Sequence, residues 1–409
     1  MKVRHQSRIF LFTTMSFADH YLENNALMPA FLESPPSGKL KIVVMIPSCN
    51  EPDIIDTINS LAECTKPQCD VEVIVVLNES VNAPAHVREM NEQSAKQLTN
   101  WNADAPFSLH TIRPVPFPSK HAGVGWARKT GMDEAVRRFN MLNRPEGIIV
   151  SLDADTLVEK NYLIEIEKLF SVKKPPVGAT IRFSHRIDEL TDEWQKRGIS
   201  LYEKYLNYYR DALEYCGYPH AIHTVGSALA VRADAYIKQG GMNRRQAGED
   251  FYFLHKLTQL GPLAELNSTC VYPSGRVSDR VPFGTGAAMS KWVKGEDRIS
   301  KTYNFRSFVD LKNFFELTGK LYEGAKLSEC KITTPLRCFL NETTFEKTLD
   351  EILKNCSSFD AFNKRFFQKF NAFVIMRFQN ISHANGDYEW QNLEEAIENM
   401  GRLEWRILE

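Results

Sequence analysis

Two stretches of the chain are apolar at nearly every position, LKIVVMIPS from Leu40 and VEVIVVL from Val71, and GIIVSL from Gly147 is a shorter third. Unbroken apolar character marks strands covered on both faces. Between these stretches the spacing becomes helical: Ile54, Ile55, Ile58 and Leu61 share one face of IIDTINSLAEC, and GVGWARKTGMDEAVRRF continues the alternation. Strand and helix in turn predict the α/β class, with a mostly parallel central sheet flanked by helices. Pro47 predicts a break near the end of the first strand.

Further along, VEKNYLIEIEKLF predicts a helix after Asp155. EWQKRGISLYEKYLNYYRDALEYCGY predicts a long one, with Tyr202, Tyr205 and Tyr209 as a core-facing stripe. HTVGSALAVRADAYIKQGG reads as a strand pair closing on Gly-Gly, AGEDFYFLHKLTQLG as a helix stopping at Gly261, and PLAELNSTCVYPSGR as a strand. From about Lys291 the pattern is helical and rich in aromatics. Thr343, Thr344 and Glu346 form a capping-box pattern ahead of FEKTLDEILKNC. Phe359, Phe362, Phe366, Phe370 and Phe373 make one stripe, with Lys364, Arg365, Lys369 and Arg377 nearby. A membrane-surface helix can look like this; packing against the sheet domain is the preferred reading. The expected organisation is an extension over 1–39 ending in the linker ESPPSGK, an α/β domain over 40–290 and a mainly helical region over 291–409.

A net charge of −1 gives no electrostatic reason to expect nucleic acid as partner. No apolar run reaches the length of a membrane span. MKVRHQSR followed by IFLFTTMSFA has the outline of a signal peptide, but Thr13 and Thr14 interrupt it. The eight cysteines include no Cys-x-x-Cys pair, which argues against a zinc site or a tight disulfide framework. A reduced, cytoplasmic protein is expected, with peripheral contact at the inner membrane face left open.

The chemistry gathers at strand ends, where ligands of parallel sheets bind. Asp153 and Asp155 end the third apolar run, and side chains at i and i+2 of an extended chain point the same way. Two such carboxylates repel unless a cation lies between them, and a hard divalent ion prefers oxygen ligands. Pro47 to Glu51 and Asn78 to Ser80 should line the same crevice. Lys120 and Arg128 are cations suited to phosphate or base contact. Gly123, Gly125 and Gly131 would let backbone approach a ligand. Glu249 and Asp250 open a helix, whose dipole favours ionised carboxylates.

Taken in order, VVMIPSCNE, GVGWARKTGMDEA, DAD, GSALAVRADAYIKQGGM and GED resemble the inverting family-2 glycosyltransferases of the glycosyltransferase-A fold, over roughly Lys41 to Gly286. Lys129 stands where the family usually has Asn. The resemblance implies a nucleotide-sugar donor, with a UDP-sugar favoured, and Mn²⁺ or Mg²⁺ on Asp155, with Asp153 on the ribose or the metal. It implies Asp250 as general base, Glu249 placing the acceptor, and Pro47, Asn50 and Glu51 holding the nucleoside. Asn78 stands where the family often has a base-reading Asp. The implied partner is a hydroxyl-bearing acceptor, with lipid-linked or surface glycans among the candidates, in polysaccharide or glycoconjugate biosynthesis. The Gln-x-x-Arg-Trp motif of processive synthases is missing. RVSDRVPFGTG stands in its place, where Arg276 and Arg280 could clamp the diphosphate and Gly284 and Gly286 could hinge a lid. A retaining transferase or nucleotidyltransferase on the same fold, or a non-catalytic carbohydrate- or nucleotide-binding protein, are the alternatives. A dinucleotide-binding oxidoreductase fits poorly, since PSCNEPD follows the first strand where a Gly-x-Gly-x-x-Gly turn belongs.

Overall fold

A computed structural model describes residues 15–101, 104–245, 248–278, 284–296 and 299–407. Residues 1–14 of the signal-like start and residues 279–283 of the expected lid, Arg280 among them, lie outside the described residues. Eight strands form one sheet: β1 (Leu40–Ser48), β2 (Asp70–Leu77), β3 (Ser108–Ile112), β4 (Ile148–Ser151), β5 (Leu157–Val158), β6 (Gly178–Phe183), β7 (Leu229–Arg232) and β8 (Leu263–Tyr272). Their order is β3-β2-β1-β4-β7-β6-β8-β5. The β3–β2–β1–β4 half is parallel, as is β6–β8, whereas β7 runs antiparallel to both its neighbours and β5 antiparallel to β8. This is the mostly parallel, helix-flanked sheet expected of the glycosyltransferase-A fold.

The helices over the sheet half are α1 (Asp19–Asn25), α2 (Ile54–Ala62), α3 (Ala85–Asn100), α4 (Val124–Met141), α5 (Tyr162–Phe170), α6 (Glu193–Tyr215), α7 (Ala233–Lys238), α8 (Glu249–Leu257) and α9 (Thr285–Val293). The rest of the chain is α10 (Phe305–Phe315), α11 (Thr318–Tyr322), α12 (Thr334–Glu342), α13 (Phe345–Lys354), α14 (Phe359–Lys369), α15 (Ala372–Ala384) and α16 (Leu393–Ile407). Alternate residues of β1 feed two cores: Ile42, Val44 and Ile46 face α2 and α5, while Val43 and Met45 face α4 and α8. A third, aromatic core joins α6 and α9 to the C-terminal helices.

Four local expectations change. β1 runs through Pro47, because β4 pairs with it only as far as Met45, whose carbonyl accepts the Leu152 N–H at 3.1 Å. The donor that proline lacks would point where β4 has already ended, so no ladder bond is lost. Ala233–Lys238 is helix, not the second strand of a pair; Ala233 and Asp234 donate to the carbonyls of Gly147 and Pro145 and leave the sheet there. The capping box before α13 does not form. Thr344 sits at φ +49° with no side-chain cap, and the Thr343 hydroxyl donates back to Phe339 at 2.8 Å, because α12 ends immediately before. The phenylalanine stripe divides: Phe362, Phe366 and Phe370 are fully buried in the helical core, Phe359 is exposed, and Phe373 packs on Phe251 and Tyr252 of α8 in the sheet domain.

Residues 16–34 lie along α4 and satisfy its buried polar side chains. Lys129 Nζ donates to Tyr21 Oη at 2.8 Å, and the hydroxyls of Tyr21 and Tyr236 donate to Asp133 at 2.8 and 2.9 Å. Glu134 accepts the N–H groups of Phe31 and Leu32 at 3.2 and 2.9 Å. Arg138 grips Glu72 through two bonds of 2.8 and 2.7 Å and reaches the Ser34 carbonyl. Burial of so many charges is tolerable only because each is paired.

Candidate active site

The carboxyl ends of β1, β2 and β4 meet in one crevice. At the end of β1, Asn50 adopts φ +52°, a left-handed conformation that Asn tolerates better than most residues. The buried amide of Asn91 on α3 accepts the Asn50 N–H at 3.0 Å and donates to the Asn78 carbonyl at 3.0 Å. It therefore fastens the ends of β1 and β2 together. Pro47 is paired within β1, Asn78 is buried and donates its backbone N–H to Ser48 at 3.0 Å, and Glu51 is 1% exposed. Asn91 carries no motif, and sequence reasoning missed it.

Arg128 connects the two acidic motifs. One arm donates to Asp153 at 2.5 Å and the other to Glu249. The guanidinium is buried, which works against its charge, but Asp153, Glu249 and Asp250 together hold its pKa above the ordinary arginine value. Gly226 makes the space: a Cβ there would lie 2.3 Å from Arg128 Nη2. Sequence reasoning missed this glycine as well, since only its distance from a residue 98 positions earlier reveals its role. Gly125 and Gly131 also make room for protein. A Cβ would lie 2.2 Å from the Arg245 carbonyl at the first and 2.2 Å from the Met45 side chain at the second.

Glu249 and Asp250 open α8 behind Gly248, which takes φ +71°. Burial pushes the Glu249 carboxyl up to about 7; Arg128 opposes the rise and the neighbouring Asp250 adds to it. Burial also raises Asp250, again against the pull of Arg128. Asp250 accepts the Phe251 N–H at 2.7 Å.

A second arginine covers the other half of the acidic crevice. Arg276, just past β8, donates to Glu51, to Asp53 at 2.7 Å and to Asp155 at 3.3 Å. Lys120 is exposed on the turn before α4 and makes no ion pair among the described residues. The aspartates Asp153 and Asp155 keep 34% and 22% of their side chains exposed, and both already face a cation. Among the described residues no three His, Cys, Asp or Glu side chains gather as a metal cage. Two carboxylates still fit Mn²⁺ or Mg²⁺, because Mg²⁺ is ordinarily held by one or two carboxylates and completed by phosphate oxygens and water.

Residues 43–239 match the family model of Glycosyl transferase family 2. The chain carries a family-2 glycosyltransferase domain. The matched segment runs from within β1 to α7 and includes Asp153, Asp155 and Arg128; Glu249, Asp250 and Arg276 lie beyond its end. No curated protein sequence matches the chain. Among solved structures, Staphylococcus (S. aureus) TarS 1–349 in complex with UDP-GlcNAc is similar at 15% identity, covering 81% of this chain and 91% of that one, with a TM-score of 0.41. Mannosyltransferase PcManGT from Pyrobaculum calidifontis, in complex with GDP-Man and Mn²⁺, is 13% identical over 90% of this chain and 88% of that one, with a TM-score of 0.38. Glucosyl-3-phosphoglycerate synthase from Mycobacterium tuberculosis, with Mn²⁺, UDP and glucosyl-3-phosphoglycerate, is 14% identical over 65% and 85%, with a TM-score of 0.33. Among the described residues no helix is long and apolar enough to cross a membrane.

Proposed function

We propose that the chain is a metal-dependent inverting glycosyltransferase, moving a sugar from a nucleotide-sugar, with a UDP-sugar favoured, to an acceptor hydroxyl. The observation that carries this reading is Arg128, which brings Asp153 at the end of β4 and Glu249 at the start of α8 onto one buried guanidinium. Donor and acceptor carboxylates are thereby held at fixed separation before either substrate arrives.

In this reading Pro47, Asn50, Glu51 and Asn78 hold the nucleoside, while Lys120, Arg276 and Arg280 serve the diphosphate. A divalent ion held by Asp155, with Asp153 beside it, would neutralise the charge of the leaving diphosphate. The acceptor oxygen forms its bond to the anomeric carbon as the bond to the diphosphate oxygen breaks and its electron pair leaves on the nucleotide. Asp250 takes the acceptor proton; burial raises its basicity, and it sits in the first turn of α8. Glu249 orients the acceptor while tied to Arg128. The catalytic unit spans 40–290, with the 1–39 extension and the 291–409 helical region as accessories.

The test is product stereochemistry with an α-linked UDP-sugar donor, read by proton NMR at early time. A β-linked product is expected, and an α-linked product would rule out inversion. Comparing UDP with GDP by thermal shift in Mn²⁺ identifies the base, because the tighter ligand raises the melting temperature more.

A further inference from the structure

Arg276 and the divalent ion have claims on the same carboxylates. Three acidic side chains converge on this one guanidinium: Glu51 and Asp53 from the end of β1, and Asp155 from the end of β4. Glu51 is 1% exposed, so its charge needs a partner at all times. Asp53 is half exposed and supplies only an outer contact. Burial opposes the Arg276 charge, but Glu51, Asp155 and Asp53 together raise its pKa, so it remains a cation. A guanidinium is also wider than a metal ion. Carboxylates spread around it are not gathered on a point, in keeping with the lack of a three-residue metal cage among the described residues.

We infer that Arg276 is a resident cation that keeps the metal out until the donor arrives. The inference rests on the metal-dependent reading above. A divalent ion on Asp155 would lie within a few ångströms of the guanidinium that now holds that carboxylate, and two cations so placed repel. Leaving the crevice would take Arg276 away from three carboxylates at once, buried Glu51 among them. A nucleoside diphosphate changes the balance. It brings negative charge on which Arg276 can settle at the crevice mouth, while the ion takes Asp155 and the diphosphate oxygens. Metal and nucleotide therefore bind as a coupled pair, each raising the affinity of the other by the same factor.

The test is Mn²⁺ binding, read by the electron paramagnetic resonance signal of free Mn²⁺, on the full chain with and without saturating UDP. Without UDP, Arg276→Gln should bind Mn²⁺ about tenfold more tightly than wild type, the effect of removing one unit charge about 6 Å from a divalent ion in a water-like medium. With UDP the order should reverse, because the diphosphate has lost its arginine. Asp53→Asn loosens Arg276 without touching Asp153 or Asp155, so it should tighten Mn²⁺ binding without UDP by a smaller factor. This variant carries the same test of sign if Arg276→Gln fails to fold. Equal or weaker Mn²⁺ binding by the variants without UDP overturns the inference and leaves the metal-dependent reading standing. Failure of every form, wild type included, to bind Mn²⁺ even with UDP overturns both.

Discussion

Replacing Glu249 by Gln should stabilise the protein above neutral pH while damaging transfer. The side chain is 1% exposed and its carboxyl sits at about 7, against an ordinary value of 4.5. Between those two values the folded chain keeps a proton that the unfolded chain has lost. Protonation therefore favours the fold. The stability it contributes is full below about 4.5 and is lost as pH rises through 7. The gap corresponds to about 3 kcal/mol at 1.36 kcal/mol per pKa unit, of which about 2–3 kcal/mol should appear between pH 5 and pH 8. Gln has the shape of the protonated acid and cannot ionise. Wild type and Glu249→Gln should thus be nearly equal in stability at pH 5, and the variant should be more stable at pH 8 by about 2–3 kcal/mol. Urea unfolding followed by tryptophan fluorescence and by circular dichroism, at four pH values, measures the difference, and agreement of the two probes licenses the free energies. A difference that stays flat from pH 5 to pH 8 would refute the argument, because Glu249 would then be an ordinary carboxylate in spite of its burial.

Asp155→Asn should weaken UDP binding in Mn²⁺ by at least about tenfold and leave metal-free UDP binding almost unchanged, as calorimetry can determine. Asp250→Asn should lower turnover by about 10²–10⁴-fold with calorimetric donor binding kept, the loss expected of a missing general base; near-normal turnover removes Asp250 from that role. Gly226→Ala adds no charge, yet its methyl would occupy the place of the Arg128 guanidinium. It should cost about 1–3 kcal/mol of stability and lower kcat/KM, and full activity in this variant would show that Arg128 need not stay where it is.

The sheet was readable because β1, β2 and β4 are buried on both faces and must be apolar throughout. Edge strand β3 was not: SLHTI keeps four of five residues partly open, so it carries no continuous apolar signal. Strand β6 escaped because GATIRF opens on Gly178 and holds Arg182 at an exposed position, so its apolar run is broken. Motif spacing brought out Asp153, Asp155, Glu249 and Asp250. It could not reveal that Arg128 faces acids on both sides, since its partners are 25 and 121 residues away. Nor could it show that Asn91 and Gly226 serve the crevice, because one is a polar residue on an ordinary helix and the other a single glycine before a strand. Their roles are contacts, and contacts between distant residues leave no local pattern.

The strap of residues 16–34 along α4 also sets an order of events during synthesis. Tyr21 meets Asp133, which lies 112 residues later in the chain. At the usual pace of translation, about 5–20 residues per second, the strap waits on the order of 6–20 s for its partner. Until it docks, Asp133 lacks the Tyr21 hydroxyl, Glu134 the N–H groups of Phe31 and Leu32, and Arg138 the Ser34 carbonyl, so α4 closes onto the sheet with part of its buried polar surface unsatisfied. The strap thus leaves the ribosome well before the α4 face that it covers has been made. A fusion partner or folding helper that occupies the N-terminus would delay closure of the whole α4 face, even though it sits far from the crevice.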